Sequence, residues 1–315
     1  MTSKPTVLCI VGPTATGKTA LSVELAKKHD GEIVSADAVA VYRGLDIGSA
    51  KPTEAEKDGV PHHMIDCAEI RNDHFTVSTF REGARRSIDA ILSRGRLPIV
   101  VGGSGLYVDS IFADMSFSAP SDPSLRASLE QDYDTDKTAV FERLKSLDPT
   151  TAERLHPNDK KRVVRALEVC IVAGRSFSEL NRSFEMAQKS DETYRVVRVG
   201  LQMDREQLYR RIDARVDEMI RNGLVNEAFT LFEQGLTPDR YTAMQAIGYA
   251  QLYDVYRGAC DLSYAVDEIK HSTRRFAKRQ ITWFKRNREI VWFDVLRKER
   301  QIIIQEISEL IKHDN

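Results

Sequence analysis

The sequence contains no apolar run approaching the roughly 20 residues that a membrane helix requires, so no membrane association is expected. Cysteine is sparse. Cys9, Cys67, Cys170 and Cys260 are scattered without paired spacing, which excludes a disulfide framework and points to free thiols in a reducing compartment. Excess charge is also missing: the formal net charge is -1, so any nucleic-acid binding must come from local clustering of basic residues. There is no internal repeat and no low-complexity segment. The opening "MTSKPT" leads straight into a strand-like run, so no cleaved leader is expected and the reading is cytoplasmic. What remains is an ordinary globular composition, 42% hydrophobic and 30% charged over 315 residues, enough for one large or two modest domains with a sizeable core.

Short apolar runs alternate with helical spacing in the first third. "TVLCIVG" reads as a strand ending in Gly12. "GKTALSVELAKKH" follows as a helix, with Leu21, Leu25 and Ala26 on one face. "EIVSAD" and "LPIVVGG" read as further strands, "VPHHMID" as a short third one, and "VSTFREGARRSIDAILSRG" as a helix. Strands alternating with helices predict a parallel α/β sheet. From about residue 115 to 192 the pattern turns helical, with "DPTTAERLHPND" read as a break between helices. "YRVVRVGLQM" then returns to strand, residues 204 to 312 are mainly helical, and "IVWFDV" reads as a last strand. The expected organisation is therefore an α/β core, 1–114 plus 193–315 with a helical C-terminal part, interrupted by a helical domain over 115–192.

Between the first strand and the first helix lies "GPTATGKT", which satisfies G-x-x-x-x-G-K-[ST]. Gly12, Pro13, Thr14, Ala15, Thr16, Gly17, Lys18 and Thr19 thus form a predicted phosphate loop on a P-loop NTPase-like core. Its backbone N–H groups and the helix N-terminus attract anionic oxygens, Lys18 adds a point charge, and Thr19 offers a hydroxyl to Mg²⁺. The second strand ends "SAD", which places Asp37 at the C-terminal edge of the sheet, where open α/β sheets bind ligands. A carboxylate there holds Mg²⁺, accepts a proton, or caps a turn. The fourth strand ends "VVGGSG", where a motor or switch NTPase would carry a Mg²⁺-binding aspartate. Gly102, Gly103 and Ser104 suggest close backbone approach and a hydroxyl near phosphates instead, and a small-molecule kinase stays open. The adjacent histidines of "PHHMID" lack the partners of a zinc site and read as structural.

"GPTATGKT", "SADAVAVYRGLDIGSAKPT", "VPHHMID", "GRLPIVVGGSGLY", "HPND", "RALE", "QAIGY" and "AKRQITWF" occur in this order. In this the chain closely resembles the tRNA dimethylallyltransferase family from about residue 6 to 294. The resemblance implies transfer of the prenyl group of dimethylallyl diphosphate to the exocyclic N6 of the adenine immediately 3′ of a tRNA anticodon, with pyrophosphate leaving. It implies that Asp37 is the base and that Arg215 contacts pyrophosphate beside Lys18, with Ser104 where the family usually has threonine. Departing pyrophosphate needs preorganised cations and N–H donors, and a poorly nucleophilic amine needs a proton acceptor, so these residue types fit that chemistry.

For the tRNA anticodon arm the resemblance implies four regions: Asp37, Ala38, Val39 and Ala40 with Ser104; Lys161, Arg162, Val163, Val164 and Arg165; Gln245, Ala246, Ile247, Gly248 and Tyr249; and Lys278, Arg279, Gln280 and Trp283. Ala38 and Ala40 replace the hydroxyl and amide that the family usually carries, as in "DSMQ", and Ala250 stands where a basic residue is common. The stretch 270–288 contains no acidic residue, and its bases suit phosphate contact. A monomer is expected. Prenylation of free AMP or ADP is a rival that does not need this basic surface, and a non-catalytic tRNA-binding protein is another.

Overall fold

The structure, a computed structural model, describes residues 4–72, 75–112, 122–180 and 193–312. The expected domain boundaries near 114/115 and 192 lie outside these residues. The chain forms two compact units, residues 1–111 with 192–315, and residues 112–191. The strands are β1 (Thr6–Val11), β2 (Gly31–Ser35), β3 (His62–His63), β4 (Leu97–Gly102), β5 (Arg195–Gln202) and β6 (Val291–Asp294). The helices are α1 (Lys18–Lys28), α2 (Glu54–Lys57), α3 (Val77–Ser93), α4 (Gly105–Phe112), α5 (Pro123–Thr135), α6 (Lys137–Leu147), α7 (Pro149–Arg154), α8 (Lys160–Ala173), α9 (177–180), α10 (Arg205–Arg221), α11 (Leu224–Glu233), α12 (Tyr249–Tyr256), α13 (Leu262–Phe284) and α14 (Arg300–Lys312). No helix among the described residues is long and apolar enough to cross a membrane.

In the larger unit the strands form one six-stranded sheet in the order β3-β2-β4-β1-β5-β6, with every pair parallel. Parallel strands are covered on both faces, which is why β1 is a near-continuous apolar run and β2 is buried along its whole length. Leu8, Ile10, Ile33 and Ile99 meet Leu21 and Leu25 of α1 and Ile303 and Ile307 of α14 in one core. Each such fully buried side chain contributes about 1.5–3 kcal/mol. Helix α3 packs on β2 and β4 and buries Phe80, Ala84, Ile88 and Ile91. A second core joins Val216 of α10, Leu224 and Phe232 of α11, Leu252 of α12 and Ile269 of α13 with Leu45.

The expected third strand shrinks to His62–His63, because Met64 and Asp66 take left-handed φ angles of 62° and 53°. The second strand stops at Ser35, two residues short of the carboxylate expected at its tip.

The smaller unit is helical throughout its described residues. Asp122, Asp136, Asp148 and Asp159 each accept backbone N–H groups at the start of α5, α6, α7 and α8. Each such cap is worth about 0.5–2 kcal/mol. The stretch read as a break thus contains helix α7, with Pro149 at a first-turn position where its missing N–H costs nothing. Leu129, Leu144, Val163 and Leu167 form this unit's core.

Candidate active site

The phosphate loop runs from the tip of β1 to the start of α1. Gly12 has φ 141°, and a Cβ there would lie 2.5 Å from the Leu201 carbonyl oxygen, so both the backbone and the space require glycine. Gly17 precedes α1 with φ 87° and no side-chain cap, which leaves the first helical N–H groups open to an anion. The Thr16 hydroxyl donates to the Pro13 carbonyl at 2.8 Å. Lys18 Nζ donates to the carbonyls of Gly12 at 2.9 Å and Pro13 at 2.7 Å, folded back over the loop. Burial, reinforced by the Arg215 guanidinium, pushes the Lys18 ammonium down to about 7, while Asp37 opposes this.

Beyond β2, Asp37 Oδ1 accepts the N–H groups of Val39 at 2.8 Å and Ala40 at 3.1 Å. One carboxylate oxygen therefore holds the turn, and among the described residues Oδ2 has no hydrogen-bond partner. The turn-cap and proton-acceptor readings are thus compatible. Beyond β4, Ser104 Oγ accepts the Ala38 N–H at 3.1 Å, so its own proton is directed elsewhere. A Cβ on Gly102 would meet the Ala36 carbonyl oxygen at 2.2 Å, which shows how closely the ends of β2 and β4 approach.

Arg215 comes from α10, whose inner stripe Leu208, Ile212 and Val216 is buried. Its Nη1 donates to Thr14 Oγ1 at 3.3 Å, and Asp37 is among the charges acting on it. Burial lowers its pKa, yet a guanidinium stays charged. Arg211, one turn away, is exposed. The fold therefore gathers Lys18, Thr14, Arg215, Asp37 and Ser104 from the ends of β1, β2 and β4 and the flank of α10. Thr19 shows no hydrogen bond from its hydroxyl among the described residues, and no cluster of three or more His, Cys, Asp or Glu suited to a metal occurs there. That donor set fits a cation such as Mg²⁺, which keeps waters and takes substrate phosphate oxygens alongside one or two protein ligands.

The expected RNA-facing residues divide by exposure. Lys161, Arg162, Gln245, Lys278 and Arg279 are exposed, and Ala38, Val39, Ala246, Ile247 and Trp283 are half-buried. Val163 and Val164 are core residues of the smaller unit, Ala40 and Gly248 are buried, and Tyr249 is fully buried. The side chains of Val163, Val164, Ala40 and Tyr249 pack inside the protein. Arg165 donates to Glu168, a carboxylate with 0% exposure that also receives Arg126. The Tyr249 hydroxyl donates at 2.6 Å to Glu227, whose carboxylate also accepts the N–H groups of Asp46, Ile47 and Gly48 and so anchors the "GLDIGS" loop.

Gln280 also points inward. It is buried at 5% exposure, accepts the Thr14 N–H at 3.0 Å through Oε1, and donates through Nε2 to the Gly103 carbonyl at 3.0 Å. The available signal was a polar residue in line with buried Ala277 and Phe284 on an amphipathic helix, where a polar group requires partners. Trp283 Nε1 donates to Asp109 at 2.8 Å, and Arg286 stacks over its ring at 4.1 Å.

The chain is similar to known proteins over most of its length. The sequence profile of the IPP transferase family matches residues 40–287. A tRNA dimethylallyltransferase of Anoxybacillus flavithermus is 45% identical over 290 residues, covering 92% of this chain and 90% of that relative. Another, of Geobacillus thermodenitrificans, is 44% identical over 314 residues, covering 99% and 97%. The crystal structure of a tRNA delta(2)-isopentenylpyrophosphate transferase of Staphylococcus epidermidis superimposes with a TM-score of 0.72 at 37% identity, covering 99% of this chain and all of that one. A eukaryotic dimethylallyltransferase acting on tRNA gives a TM-score of 0.79 at 26% identity, covering 99% and 80%. With a P-loop-like parallel sheet, the phosphate loop and this degree of identity over nearly its whole length, the chain belongs to the IPP transferase family.

Proposed function

We propose that this protein transfers a dimethylallyl group from dimethylallyl diphosphate to the exocyclic N6 of the adenine immediately 3′ of a tRNA anticodon. The observation that carries this reading is the phosphate loop, bonded through Thr14 to Arg215, together with the Asp37 carboxylate at the end of β2 that keeps one oxygen uncommitted. The relatives named tRNA dimethylallyltransferase support the choice of tRNA and prenyl donor.

The adenine nitrogen forms a bond to the allylic carbon as the carbon–oxygen bond to the diphosphate breaks. The electron pair of that bond leaves with pyrophosphate, and the amine proton passes to Asp37 Oδ2. Lys18, the open N–H groups of the loop and Arg215 receive the developing charge where water would otherwise have to reorganise. When bound at Thr19, Mg²⁺ supplies additional neutralisation of the diphosphate. The Ser104 hydroxyl, held by the Ala38 N–H, donates toward substrate. The target base must leave its stack to reach this carboxylate. The proposed working unit is a monomer in the cytoplasm.

The test is incubation of the protein with Mg²⁺, dimethylallyl diphosphate and unmodified tRNA, followed by mass spectrometry of the digested nucleosides. A prenyl mass on adenosine is expected, strongly reduced with Asp37→Ala. Parallel reactions with ATP and an alcohol acceptor, and with free AMP, separate the alternatives. Phosphorylation or free-nucleotide prenylation in place of the tRNA product would overturn the reading.

A further inference from the structure

A loop that binds an anion through backbone N–H groups works best when those groups are held before the anion arrives. The Thr14 turn is held at two points. Arg215 donates to its hydroxyl at 3.3 Å, and its N–H donates to Gln280 from 266 residues away in the sequence. Gln280 also ties that turn to the end of β4 through the Gly103 carbonyl at 3.0 Å. A Cβ on Gly103 would lie 2.2 Å from Gln280 Nε2, whereas the φ of Gly103 is not left-handed. Glycine is therefore used here for space, and the space admits the Gln280 amide.

We propose that Gln280 is a positioning residue of the diphosphate site, fixing the Thr14 turn of the phosphate loop against the end of β4. The proposal rests on the diphosphate reading above and gives this residue of the basic helix α13 a task separate from RNA. On the outer side of the same helix, Lys278 and Arg279 remain exposed for phosphate contact. An amide suits the position because it accepts from one backbone group while donating to another. Leucine, of similar volume, does neither and leaves a part-buried N–H and a buried carbonyl unpaired.

The experiment measures binding of inorganic pyrophosphate with Mg²⁺, binding of tRNA, and transfer kinetics, using full-length wild type and Gln280→Leu. Expected results are an affinity for pyrophosphate about tenfold weaker, a matching rise in KM for dimethylallyl diphosphate, and a tRNA affinity within about twofold. Lost tRNA affinity with pyrophosphate binding intact, or no change in either, would overturn the proposal. Should Gln280→Leu not fold, Gly103→Ala tests the same joint by displacing the amide. It should weaken pyrophosphate binding in the wild-type background and cost little more in Gln280→Ala, where the clashing group is gone. An equal cost in both backgrounds would also overturn the proposal. Pyrophosphate binding is read without tRNA, so absence of prenyl transfer would sink the proposed function and leave this result standing.

Discussion

At the residue scale, the division of labour within Asp37 makes a sharp prediction. Asp37→Asn retains an oxygen to hold the Val39 and Ala40 N–H groups and removes the proton acceptor. Turnover should fall by about 10²–10⁴-fold with tRNA and pyrophosphate affinities nearly unchanged, as single-turnover rates and binding titrations would show. Lys18 gives a pH signature. Its folded pKa is pushed down from 10.5 to about 7 by burial and Arg215, so above pH 7 the free enzyme holds it mostly neutral. A bound diphosphate favours the ammonium, so binding should take up a proton at about pH 8.5, little at about pH 6, and weaken as pH rises between them. Calorimetry in buffers of different ionisation enthalpy measures that uptake, and Lys18→Met should abolish it. The lysine itself was readable from the loop motif, but its depressed pKa was not, because it depends on an arginine from a distant helix.

At the element scale, β2 carries a buried charge far from the chemistry. Glu32 is 3% exposed at its side chain and receives Arg94 at 2.7 Å, Arg96 at 2.9 Å and His63 at 2.7 Å. Burial raises its pKa, but the hydrogen bonds from His63, Arg94 and Arg96 overcome that and hold it at about 2. The folded value lies below the unfolded one. The stabilisation is therefore complete above about pH 4.5 and is lost as pH falls toward 2. Glu32→Gln should destabilise the protein by about 2–4 kcal/mol at pH 7, and the gap in urea midpoints should narrow in acid. This network explains the histidine pair that the sequence left as structural: His63 binds Glu32, and His62 bonds to the Val60 carbonyl at 2.8 Å. Alternation of short apolar runs and helices made the parallel sheet legible. The brevity of β3 was not, since the left-handed φ of Met64 is not a preference of its residue type.

At the scale of the whole molecule, a net charge of -1 means that RNA affinity has to be local. The basic start of α8 separates into two kinds of residue. Lys161 and Arg162 are exposed, whereas Arg165 is tied to buried Glu168. Charge reversal at Lys161 and Arg162 should weaken tRNA binding and lower its salt dependence by about one counterion per lost phosphate contact, without altering pyrophosphate affinity. Arg165→Glu should instead lower the melting temperature, because it sets a second carboxylate beside buried Glu168. Filter binding across a salt series, beside thermal denaturation, distinguishes the two outcomes.

Local chemistry was enough for the sequence alone to determine the phosphate loop, the alternation that builds the sheet and the family. Each depends on neighbouring residues and short-range periodicity. Tertiary structure decided which polar groups serve the site. Gln280 lies 266 residues from the Thr14 N–H it accepts, and Arg215 lies 201 residues from the Thr14 hydroxyl. Whether a glutamine on a basic helix turns outward to RNA or inward to the loop depends on which backbone groups are left unpaired beside it. Only the folded chain brings those groups together.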